Sequence, residues 1–89
     1  MAGKETEYDA IVRAEIAIEI LNQARAIITA RVHELETKEP AQAERLRQRR
    51  RDLVDLQHGL RVDEPEAIED VIAVWGARVS DEDRFWREF

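Results

Sequence analysis

The amino-acid sequence predicts an all-α domain of residues 1–89, built as a long antiparallel helical hairpin followed by two short C-terminal helices. The 89 residues include only 3 Gly and 2 Pro, and helix-favouring Ala, Leu, Glu and Arg are abundant. Nothing between residues 6 and 36 interrupts a helix, until Pro40 forces the residue before it out of helical geometry. Because the connection to the next helix is short, antiparallel packing of the first two helices is the simplest outcome.

The first two helices have marked ends. A helix over about 6–36 begins with Thr6, whose hydroxyl can cap free backbone N–H groups. The second helix is predicted over about 41–58, because Pro40 suits a first turn. Gly59 is well placed as a left-handed cap that ends it.

Two shorter helices follow. Asp63 opens a capping pattern with proline in the first turn, which predicts a helix over about 64–76 that ends at Gly76. The acidic segment 80–83 is a second start signal of this kind and predicts a terminal helix over about 81–88.

The first helix carries apolar residues on two faces, and both faces need cover. The first face follows a seven-residue repeat that Arg25 interrupts. Its members are Ala10, Ile11, Ala14, Ala17, Ile18, Leu21, Ala24, Ile28, Val32 and Leu35. The second face comprises Val12, Ile16, Ile20, Ile27 and Ala30. The second helix offers a narrow leucine stripe that can cover one face, whereas the third helix is too short to cover all of the other.

We therefore expect a protein partner on the second face, with a second copy of the chain in a dimeric bundle as the favoured one. The aromatic end of the chain is a further candidate anchor, since aromatic side chains often dominate interface energies. The predicted interface residues are Val12, Ile16, Ile20, Ile27, Phe85, Trp86 and Phe89. The alternative is a monomer in which the third and fourth helices cover the first along its full length and the aromatic residues close the open end of the hairpin.

Charge is distributed unevenly along the chain. The net charge is −6, with −3 over residues 1–40, +3 over 41–62 and −6 over 63–89. Five arginines of the second helix are candidate contacts for an anion or an acidic partner: Arg45, Arg47, Arg49, Arg50 and Arg51. Neighbouring acids stand at helical spacing to pair with some of them, so a solvated and internally paired face is the competing interpretation.

The function predicted from these patterns is a non-enzymatic protein–protein interaction module: an adaptor, regulator or inhibitor that acts by helix packing as a homodimer. One alternative is a nucleic-acid-associated regulator that uses Arg45–Arg51. A second is an acidic inhibitor that occludes a basic groove on a nucleic-acid enzyme.

Several classes of site are not expected. The chain has no cysteine, one serine and no glycine-rich loop. The sequence therefore lacks the residues for thiol chemistry and for a nucleotide-binding motif. His33 and His58 are the only histidines, and both are interpreted as surface residues rather than metal ligands. We expect no cofactor, no metal, no small-molecule ligand and no membrane span, and a cytoplasmic location.

Overall fold

The computed structural model describes the backbone of residues 2–89 and the side chains of residues 7–89. Over this range the chain forms four α-helices and no strand, which confirms the all-α class. The helices are α1 (Ala2–Leu35), α2 (Pro40–Gly59), α3 (Pro65–Val79) and α4 (Glu82–Glu88).

Helix α1 begins earlier than the sequence predicted, and α2 ends differently. The predicted start, Thr6, lies inside α1, and its proposed capping side chain falls outside the described residues. Gly59 is the last residue of α2 and does not adopt the predicted left-handed conformation. The chain instead leaves the helix through Leu60 in an extended conformation, with the Leu60 N–H donating to the Gln57 carbonyl at 3.3 Å. An extended exit of this kind requires no positive φ angle.

Helix α3 starts close to the predicted position but runs past its predicted end. Pro65 occupies its first turn, whereas Asp63, also within the described range, pairs with Arg61 instead of capping. Helical geometry continues through Gly76 to Val79, because a glycine inside a helix weakens it without having to end it. Asp81 then caps α4 by accepting a hydrogen bond from the Arg84 N–H at 3.2 Å.

Helices α1 and α2 run in opposite directions, as their side-chain contacts demonstrate. Near the connection between them, Arg47 donates to Glu36 at 3.3 Å. Farther along α2, Gln57 accepts from Arg25 at 3.2 Å. Later residues of α2 therefore contact earlier residues of α1, as expected for antiparallel helices.

Helix α3 runs in the same direction as α1. Arg13 of α1 binds Glu69 of α3. About two turns farther along both helices, Ile20 lies against Gly76, where an added Cβ would stand 3.5 Å from the Ile20 Cδ1 atom. Helix α4 continues along α1, since the Arg31 guanidinium lies 4.3 Å from the ring centroid of Trp86. Together α3 and α4 follow most of the length of α1.

The core follows one face of α1 and draws on every helix. Alanines at several of these positions let neighbouring helices approach closely. The helices α2 and α3 both pack on α1 and make little contact with each other. The molecule is accordingly elongated, with extents of 57 × 22 × 15 Å. The buried apolar residues are Ala14, Ala17, Leu21, Ala24, Ile28, Val32, Ala43, Leu53, Ile68, Val71 and Phe85.

Replacing Gly76 by alanine is expected to stabilise the protein by about 0.5–1 kcal/mol. The position has helical backbone geometry, and the added Cβ would make an ordinary van der Waals contact with Ile20. Urea unfolding of Gly76→Ala measures the effect. Gly59→Ala is the matched control, because this glycine is the last helical residue and a Cβ there would meet nothing within 4 Å. A loss of stability in Gly76→Ala would contradict the packing described for α1 and α3.

Candidate interaction surfaces

An open apolar groove lies beside the N-terminal half of α1, which we call the N-terminal groove. It has a volume of about 650 Å³, and its lining is mostly apolar. Ile11 is 47% exposed there and Val62 is 46% exposed. The groove exists because α2 ends at Gly59, so only the connecting segment 61–63 lies beside this part of α1. The lining residues are Glu7, Ala10, Ile11, Arg61, Val62 and Asp63.

Charges at the edge of the N-terminal groove largely neutralise one another. Arg61 donates to Asp63 at 3.0 Å and also lies 3.7 Å from a carboxylate oxygen of Glu64. The hydrogen bond from Arg61, and then its positive charge, lowers the pKa of the Asp63 carboxyl below its usual value. Because Arg61 and Asp63 are paired with each other and the lining is mostly apolar, the groove is better suited to an apolar surface than to a charged ligand.

The four predicted interface residues on α1 are more covered than the sequence suggested. Ile20 packs against Gly76 of α3, Ile27 packs against the core, and Val12 is half-buried. Ile16 is the most open of the four, with 37% of its surface exposed. For Ile20 the cover comes from α3, which extends past its predicted end to Val79.

The aromatic residues of α4 form a cluster that closes the bundle. Phe85 is fully buried within the chain, so it has no exposed surface for the contact that the sequence predicted. Its ring stands 5.0 Å from those of Trp86 and Phe89 and 6.2 Å from that of Trp75 in α3. These distances are typical of favourable aromatic pairs. Trp86 and Phe89 are half-buried, and an arginine from another helix lies over each ring, Arg31 over Trp86 and Arg49 over Phe89.

Two of the five candidate arginines of the segment Arg45–Arg51 are held by carboxylates of the same chain. Arg47 lies 3.3 Å from both Glu36 of α1 and Glu44 of α2. Arg51 binds Glu44 at 3.2 Å. The hydrogen bonds from Arg51 and Arg47 lower the pKa of the Glu44 carboxyl. These two side chains are therefore engaged within the molecule.

The other three arginines differ in their surroundings. Arg49 donates to the carbonyl of Phe89, and Arg50 donates to the Thr29 hydroxyl at 2.9 Å. Arg45 is exposed and forms no ion pair with any side chain that the structure describes. Of the five arginines, Arg45, Arg49 and Arg50 have no carboxylate partner among the described side chains, and the last two donate to oxygens of other helices or of the chain end. The segment therefore does not present a continuous row of free cations, which contact with a run of phosphates would require.

The histidines and acids form no metal site within the described part of the chain. No three side chains of the types that bind metals converge over residues 7–89. His33 lies 3.6 Å from Glu36, and His58 is exposed. Among the described helices, none is long and apolar enough to cross a membrane.

Comparison of the chain with protein-family models, with curated proteins and with solved structures gave no match. The candidate surfaces therefore rest on their own geometry.

Replacing Phe85 by alanine is expected to cost about 3–5 kcal/mol of folding free energy, as is usual for a buried phenylalanine. Removing the Phe85 ring would leave a cavity between α3 and α4, because this ring contacts Trp75 of α3 and Trp86 of α4. Urea unfolding followed by tryptophan fluorescence measures the change. Phe89→Ala, at a half-buried position of the same cluster, is the control and should cost less. Equal effects would show that Phe85 is not the centre of the cluster.

Stability is expected to fall as the pH drops below about 4. Hydrogen bonding to Arg13 lowers the pKa of the Glu69 carboxyl, and hydrogen bonds from Arg84 and Arg78 do so for Glu88. A carboxyl with a lowered folded-state pKa stabilises the fold above its unfolded-state pKa. That contribution disappears as the pH falls through the folded-state value.

Urea midpoints measured between neutral and acidic pH test this expectation. Glu69→Gln should flatten part of the pH dependence, because it removes the partner of Arg13. The control is Glu15→Gln, which removes an exposed acid of α1 that is outside every ion pair described here. If the two variants have the same pH profile as the parent, the pair between α1 and α3 does not contribute to folding in solution.

Proposed function

We propose that this chain is a non-enzymatic interaction module that assembles by helix packing, as a homodimer joined through the N-terminal groove. The observation that carries the proposal is the group of exposed apolar side chains at this end of the molecule. Ile11 and Val62 line the groove, and Tyr8, one turn before Ile11 on α1, is 70% exposed. Exposed apolar side chains that lie together commonly mark association sites.

The energetics favour covering this surface. Full burial of one side chain the size of isoleucine contributes about 1.5–3 kcal/mol. In a twofold dimer the same patch is used twice, so each residue contributes on both sides of the contact. The lining includes two acids and one base. It therefore accounts for only a small part of the chain's net charge of −6. The lining itself therefore adds little repulsion between two copies that meet there.

This proposal moves the contact relative to the one predicted from sequence. The half-buried Val12, Ile20 and Ile27 contribute to the fold of one chain, and the exposed Ile11 takes their place. The functions that rest on charge are less well supported. Carboxylates hold Arg47 and Arg51, and arginines hold Asp63 and Glu69, so part of each charged surface is already paired within the chain.

Ile11→Glu is expected to convert a dimer into a monomer, because a carboxylate buried in an apolar contact is strongly unfavourable. Sedimentation velocity of the purified parent and variant measures the change. Ile16→Glu is the matched control: it makes the same substitution on the same helix, at a residue that is 37% exposed and outside the groove. This control should remain dimeric.

Far-UV circular dichroism of each variant establishes that the helices are retained before the masses are compared. A parent that sediments as a monomer would refute the homodimer. A dimer that dissociates only in Ile16→Glu would place the contact on the second face of α1 instead. If both variants stay dimeric, neither face forms the interface.

A further inference from the structure

The half-buried arginines of the described residues divide into two groups. Four have a carboxylate partner within 4 Å: Arg13, Arg31, Arg47 and Arg78. The other two, Arg25 and Arg50, have none among the side chains that the structure describes. A guanidinium that is partly withdrawn from water without a counter-charge is unfavourable, so this pair requires an explanation.

Arg25 and Arg50 lie at the same place, where α1 and α2 face each other. They line an open pocket of about 520 Å³, which we call the α1–α2 pocket. The remaining lining is neutral and consists of Asn22, Ala26 and Thr29. The pocket therefore brings two positive charges together with an amide and a hydroxyl, and no carboxylate belongs to its lining.

Neutral oxygens hold both arginines in position without neutralising them. One terminal nitrogen of Arg25 donates to Asn22 at 3.3 Å and to Gln57 at 3.2 Å. One terminal nitrogen of Arg50 donates to the Thr29 hydroxyl at 2.9 Å. The Nε atom of Arg25 is buried and has no acceptor within the described part of the molecule. Each guanidinium thus keeps N–H groups that no oxygen of these residues satisfies.

We propose that the α1–α2 pocket binds a phosphate group, either as free phosphate or as a phosphomonoester. Guanidinium groups form paired, charge-assisted hydrogen bonds with phosphate oxygens, and these bonds are stronger than those between neutral groups. A phosphate carries close to two negative charges at neutral pH and matches the two cations. Its tetrahedral oxygens can accept from donors on two helices at once, whereas the two oxygens of a carboxylate lie in one plane.

The test is a titration of the full chain with inorganic phosphate at constant ionic strength. Changes in ¹H–¹⁵N NMR spectra, including the Nε–H signal of Arg25, report binding at the pocket. The parent should give saturable shifts. Arg25→Gln and Arg50→Gln should each weaken binding roughly tenfold or more, as loss of a charge-assisted hydrogen bond predicts. Arg50→Lys keeps the charge but loses the paired geometry, and should bind phosphate with intermediate affinity.

Arg45→Gln is the matched control, since it removes the same charge from the same helix at an exposed position outside the pocket. It should bind phosphate with nearly the parent affinity. A parallel titration with phenyl phosphate distinguishes the sources of the group: tighter binding than inorganic phosphate identifies a phosphomonoester, and weaker binding identifies free phosphate. Circular dichroism of every variant verifies that it is folded.

Three results would overturn the proposal. The first is a parent with no saturable response to either phosphate compound. The second is an equal loss of affinity in Arg45→Gln and Arg50→Gln, which would indicate only general charge attraction. The third is binding of acetate as tight as that of phosphate, which would indicate a site for any anion.

Discussion

The structure depends on the close packing of other helices against a single face of α1. Ala17 and Ala24 on that face are fully buried, and their small side chains let neighbouring helices approach the α1 backbone. Both α2 and α3 use α1 in this way, in opposite directions, and contact each other little. The N-terminal groove follows from this arrangement, because α1 extends beyond the end of α2 there.

Sequence patterns predicted the helical class and the approximate position of each helix, but they predicted the role of two glycines only in part. Gly59 is the last residue of α2, as expected, but without the left-handed conformation. Gly76 was expected to end α3 and lies inside it. Glycine permits the left-handed conformation that ends many helices without imposing it. Whether a helix ends at a glycine depends on tertiary contacts, such as that between Gly76 and Ile20, which no local pattern contains.

The surfaces were harder to predict than the fold for the same reason. Spacing along one helix indicated pairs such as Glu44 with Arg47, but the ion pairs of Arg13 with Glu69 and of Arg47 with Glu36 join different helices. Ile11 belonged to the stripe assigned to the core and is instead exposed, because cover by α2 stops short of it. Arg25 was visible in the sequence only as an interruption of that stripe.

The aromatic cluster has a consequence for how the molecule opens. Trp75 of α3 packs against both Phe85 and Phe89, so the two short helices share one set of contacts. Because these contacts are shared, we expect α3 and α4 to open together. Amide hydrogens in both helices should then exchange with solvent in a common opening event.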